Sequence, residues 1–91
     1  MRFEMKKFGL ILNSRPAGRE AVLRVKQIAN GISDDKIIFD FSGVNVLTPS
    51  FADEFFSGIK ETYKDKGIGI IIEGYAGNTV IEDVLKQVHL V

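Results

Sequence analysis

The chain has 91 residues with 12 Lys+Arg, 12 Asp+Glu, one His and no Cys, so its formal net charge is zero. A single domain over 1–91 fits this length, and a domain so small hides only about 60 to 65% of the surface its unfolded chain exposes, which requires a compact, aliphatic core. Balanced charge without a Lys/Arg run excludes nucleic acid as an expected partner, and the lack of cysteine removes disulfides, zinc ribbons and thiol catalysis and fits a reducing, cytoplasmic setting.

Near the N-terminus Arg2, Lys6 and Lys7 precede an apolar segment, Phe8 to Leu12, that is stopped by Asn13-Ser14-Arg15-Pro16. That segment is too short for a signal peptide or a membrane span, so no membrane association is expected. Arg2 to Met5 reads as a short edge strand and Gly9 to Leu12 as a second strand. Ser14 before Pro16 marks a helix entry, because serine accepts from a free backbone N–H and proline loses nothing in a first turn. In the helix that follows, Gly18, Ala21, Val22, Val25, Ile28 and Ala29 share one side, and Gly31 is a natural stop.

Lys36 to Phe41 is apolar without alternation, the pattern of a strand covered on both faces. After the loop from Ser42, a second helix places Ala52, Phe55, Phe56, Ile59 and Tyr63 on one face, opposite Asp53, Glu54, Ser57 and Glu61. Gly67 to Glu73 forms a further strand, and Gly74 to Asn78 turns into a third helix with Val80, Ile81, Val84, Leu85 and Val88 on one face, capped by Thr79 with Glu82 or by Asn78. Strand and helix alternate throughout, which gives the α/β class with a mixed, mostly parallel sheet of about four strands and three helices. Right-handed crossovers bring Ser14-Arg15, Thr48 to Ser50 and Asn78-Thr79 to one edge.

The residues with chemical potential lie at that edge. Ser50, three before Asp53, matches a capping pattern, and it is also an accessible hydroxyl where a phosphate would meet the helix dipole but also Asp53 and Glu54. Asp53 and Glu54 are adjacent, so on a helix they diverge by about 100° and do not form an acid/base pair. Asp40 can orient the loop through Ser42. Arg15 can pair with Asp53, Glu54 or an anion. Phe51 either faces solvent beside Ser50 as a contact residue or closes the top of the core. The glycines at 67, 69, 74 and 77 match neither nucleotide fingerprint, and His89 alone cannot build a histidine metal site. No catalytic, metal-binding or cofactor-binding set emerges, and an enzyme is not expected.

Ser14-Arg15 with Gly18, Asp40-Phe41-Ser42-Gly43-Val44 and Ser50-Phe51-Ala52-Asp53-Glu54 resemble the STAS superfamily of bacterial anti-sigma-factor antagonists and sulfate-transporter tails. More narrowly they are similar to the STAS-like family of unassigned function, from about Gly9 to the C-terminus. In the antagonists the corresponding loop reads Asp-Ser-Ser-Gly, and an anti-sigma factor that is also a kinase phosphorylates the second serine. The unphosphorylated domain binds that kinase and frees the sigma factor. Those four positions are here Thr48, Pro49, Ser50 and Phe51, so the phosphoacceptor serine is retained while the aspartate and glycine are not. The resemblance implies a small STAS-like fold and a non-enzymatic regulatory module of bacterial signalling. It also implies Ser50 as phosphoacceptor, a surface of Ser14, Arg15, Thr48, Phe51, Asp53 and Glu54, and a histidine-kinase-type ATPase or anti-sigma factor as partner. Two alternatives stand beside it: a sensor binding an anion or nucleotide near Arg15 and the helix N-termini, and a structural or oligomerising domain.

Overall fold

The computed structural model describes residues 1–31 and 35–90. Its elements are β1 (Arg2–Glu4), β2 (Ile11–Leu12), α1 (Arg15–Ile28), β3 (Lys36–Asp40), β4 (Val46–Leu47), α2 (Pro49–Tyr63), β5 (Gly69–Glu73) and α3 (Thr79–Gln87), with 3-10 turns at Met5–Phe8 and Lys64–Lys66. The sheet β1-β3-β5 is parallel throughout, and β2 pairs with β4, also in parallel, as a separate ribbon. The α/β class and the three helices are as expected, but among the described residues the strands number five in two sheets. The added strand, Val46–Leu47, is only two residues long and offers no period to read.

One face of the main sheet forms the core. Phe3, Phe39 and Ile72 lie side by side on it, and α2 lays Phe55 and Phe56 edge-on against Phe39 with ring centroids 5.3 and 5.8 Å away. Each such fully buried aromatic contributes about 1.5–3 kcal/mol relative to exposure. The opposite face does not match the expectation of a doubly covered strand. There Arg2, Ile38 and Ile71 form one row and Glu4, Asp40 and Glu73 the next, with Ile71 37% exposed. Arg2 reaches over that face to Asp40 (Nη1–Oδ2, 3.1 Å) and Glu73 (Nη2–Oε2, 2.7 Å). The unbroken apolar run of β3 therefore reflects the preference of β-branched residues for strands as much as burial.

The helical periods hold with two corrections. The stripe Ala52, Phe55, Phe56, Ile59 and Tyr63 of α2 is buried, as are Ala21, Val22, Val25 and Ala29 of α1 and Ile81, Val84 and Leu85 of α3. Ile28 is 57% and Val80 50% exposed, because each stands at a helix end where the apolar face rotates away from the sheet. α1 and α2 cross closely at two glycines. A Cβ on Gly18 would stand 2.9 Å from Phe51 O, and one on Gly58 2.8 Å from Val22 Cγ2. α1 stops at Ile28 with Ala29 as its C-cap, so Gly31, at φ +78°, lies beyond the helix end instead of forming it. At α3 the cap is Asn78, whose Oδ1 accepts from Ile81 N–H at 3.1 Å, and Thr79 is already helical.

Candidate functional site

The ribbon of β2 and β4 positions the site. Leu12 lies beside Leu47, and Thr48 N–H donates to Leu12 O at 2.9 Å, so α1 and α2 start from neighbouring points. Ser14 caps α1 through Oγ, which accepts from Ala17 N–H at 3.3 Å. Its backbone, at φ 81° and ψ 152°, lies in a region that costs a residue with a side chain about 1–3 kcal/mol.

Thr48, not Ser50, caps α2: Thr48 Oγ1 accepts from Phe51 N–H at 3.3 Å. The cause is Pro49, which fits the first helical position, lacks an N–H, and holds the preceding residue extended, here at φ −94° and ψ 153°. Ser50 is thereby moved into the first turn. It is exposed, and its hydroxyl makes no hydrogen bond among the described residues.

Phe51 is not part of the surface. It is 1% exposed and stacks on Phe55, four residues on, with centroids 5.8 Å apart and planes 18° from parallel. Because α2 begins at Pro49, Phe51 falls one turn before Phe55 and extends the buried stripe.

Arg15 meets Asp53 (Nη1–Oδ2, 2.7 Å) and Glu54 (Nη1–Oε1, 3.6 Å), and Arg19 meets Glu54 (Nε–Oε2, 3.4 Å). Asp53 holds the Arg15 guanidinium above its already high ordinary value, so this charge is constant at any accessible pH. Arg19 was not among the residues singled out from the sequence, although its i, i+4 spacing from Arg15 places both on one helix face. These pairs are exposed, so solvent and salt screen them and they add little to stability. The close packing at Gly18 locks the same two helix starts together more firmly, since its neighbours are Phe51 O and Glu54 Cβ.

Asp40 and Ser42 form a second cluster. Ser42 N–H donates to Asp40 Oδ1 at 2.9 Å, the loop-orienting contact expected of this pair. The Ser42 side chain first, then its backbone N–H and the charge of Arg2, hold the Asp40 carboxyl below the usual carboxylate range. Gly74, at φ +78°, backs directly onto this turn: a Cβ there would land on Asp40 Oδ1 and 2.6 Å from Ser42 Oγ. The third helix start joins through the loop, with Asn78 Nδ2 donating to Val44 O at 3.2 Å and Asn45 O at 3.3 Å. Two of the three expected helix starts thus touch directly, and the third is tied to the segment leading into β4.

A cavity of about 150 Å³ borders the site between Asn13, Ala17 and Phe51, and one of about 470 Å³ lies by Arg2, Phe8 and Ile28; neither is lined by Ser14, Arg15 or Ser50. Among the described residues, no group of three or more His, Asp or Glu is arranged to hold a metal ion, and no helix is long and apolar enough to cross a membrane.

The parallel α/β layer and the Asp40 to Glu54 segment agree with what comparison with known families finds. The family model of the STAS-like domain of unknown function matches residues 20–73, more than half of the chain, and the chain belongs to that family. The match runs from α1 through β5 and includes Asp40, Ser42, Thr48, Ser50, Asp53 and Glu54, with Ser14 and Arg15 preceding it. No curated protein and no solved structure matches the chain.

Proposed function

We propose that this domain is a non-enzymatic regulatory module. It binds a signalling protein through the edge formed by Ser14, Arg15, Ser50, Asp53 and Glu54, and phosphorylation of Ser50 switches that binding. The observation that carries this reading is the state of Ser50: exposed, relieved of capping by Thr48, and without a hydrogen-bond partner among the described residues. A phosphate there costs the fold no cap. It adds a charge of about −1.5 to −2 beside Asp53, one turn on, and competes with it for Arg15. The balanced surface becomes locally negative while the core stays in place.

The partner that fits is a histidine-kinase-type ATPase or anti-sigma factor, as the resemblance to the antagonists implies. A small anion as ligand is less favoured, because Arg15 and Arg19 are already matched by Asp53 and Glu54. Copurification from the native cells, with mass spectrometry of the captured domain, tests the reading. The expected result is a bound kinase-type partner, phosphate at Ser50 in a fraction of the molecules, and loss of capture with Ser50→Asp but not Ser50→Ala. Absence of phosphate at Ser50, with both variants capturing the partner equally, overturns the switch.

A further inference from the structure

The two edges of the main sheet differ. β1 is three residues long and carries Arg2 and Glu4, the short, charged kind of edge that discourages strand pairing. β5, Gly-Ile-Ile-Ile-Glu, has neither lysine nor proline along it. Its bonds to β3 come from alternate residues: Gly69 N–H donates to Asp35 O at 2.8 Å, and Glu73 O accepts from Phe41 N–H at 2.9 Å. The two-residue period therefore turns the N–H and C=O of Ile70 and Ile72 outward, where no strand among the described residues meets them. Both side chains are only half-buried, and Ile71 is exposed on the open face.

We propose that this edge pairs with β5 of a second copy of the chain, antiparallel about a twofold axis at Ile71, so that two three-stranded sheets become one continuous sheet. The strand fits itself. Ile70 faces Ile72 of the copy and exchanges both backbone hydrogen bonds with it, and the same occurs on the other side of the axis. Ile71 faces its own equivalent on the open side, with Cβ atoms about 4.5–5.5 Å apart, and the two side chains cover each other. Charge fits in the same register. Glu73 meets Gly69 of the copy, which has no side chain, and behind that glycine, one strand further and on the same face, stands Lys36 of the copy. Symmetry makes this pairing twice, while Oε2 of Glu73 remains with its own Arg2. An unrelated peptide strand would satisfy the backbone but not the two glutamate–lysine pairings.

Sedimentation velocity of the full chain over rising concentration, combined with amide hydrogen exchange, tests this. The expected result is a reversible dimer in which the amides of Ile70 and Ile72 slow as the dimer forms, while those of Gly69 and Glu73 on the β3 side are slow throughout. Ile71→Lys places two ammonium groups across the axis and weakens dimerisation about tenfold or more, with the far-ultraviolet circular dichroism unchanged. Lys36→Glu weakens it as well. A monomer at every concentration overturns the proposal. So does a dimer whose Ile70 and Ile72 amides exchange at the monomer rate, or one that Ile71→Lys leaves intact.

Discussion

Thr48 is held extended by the proline after it, and its hydroxyl closes the first turn of α2. Thr48→Ala is expected to cost about 1 kcal/mol of stability, the usual loss for a helix cap. Ser50→Ala, at an exposed helical position, stays within about 0.5 kcal/mol. Urea denaturation of the two variants side by side checks this, and the reverse order would return the cap to Ser50. Asp40 gives the acid limb of the stability curve. Ser42 and Arg2 favour its ionised form, so its folded value lies below the ordinary 3.8. As acid is added the unfolded chain takes up the proton first. The contribution is therefore fully present well above 3.8 and is lost as the pH falls through the lower, folded value. Thermal unfolding between about pH 5 and about pH 2 should fall less steeply in Asp40→Asn than in the parent.

Packing of α1 on α2 turns on the two glycines at their crossing. Alanine favours a helix over glycine by about 1 kcal/mol. At Gly18 the new methyl meets Phe51 O at 2.9 Å and Phe55 N at 3.3 Å, backbone atoms of α2 that cannot yield unless the helices separate. Overpacking of this kind costs about 1–3 kcal/mol, so Gly18→Ala is expected to be net destabilising. Gly58 faces the Val22 methyls instead, and there Val22→Ala in the same chain relieves Gly58→Ala. No single side-chain truncation rescues Gly18→Ala. Denaturation midpoints of the three variants distinguish a backbone clash from a side-chain one.

At the scale of the whole molecule, the alternation of strand and helix was legible because each helix and each of the longer strands carries its own signal: Phe55, Phe56 and Ile59 at helical spacing, Ile37 to Phe39 as an apolar run, serine, threonine or asparagine at the helix entries. The open sheet face was not, because Ile38 and Ile71 are the residues a buried strand would also use; only the register beside Arg2 places them outside the core. Within the site, Asp40 with Ser42 and Arg15 with Asp53 were legible from charge and spacing. The cap of α2 was obscured by two hydroxyls around one proline, Thr48-Pro49-Ser50. Proline's preference for the first helical position was the signal that favours the threonine. The same two-residue shift of the helix start accounts for Phe51. Every strand pair among the described residues is parallel and joins residues more than thirty positions apart: Arg2 with Ile38, Ile11 with Val46, Lys36 with Gly69. Each of these ladders must bear the entropy of a long loop before its first hydrogen bond is rewarded. The four-residue β2–β4 ribbon gains least from that closure, so the edge carrying Ser14, Arg15 and Ser50 leans on the packing of α1 against α2 more than on its own ladder.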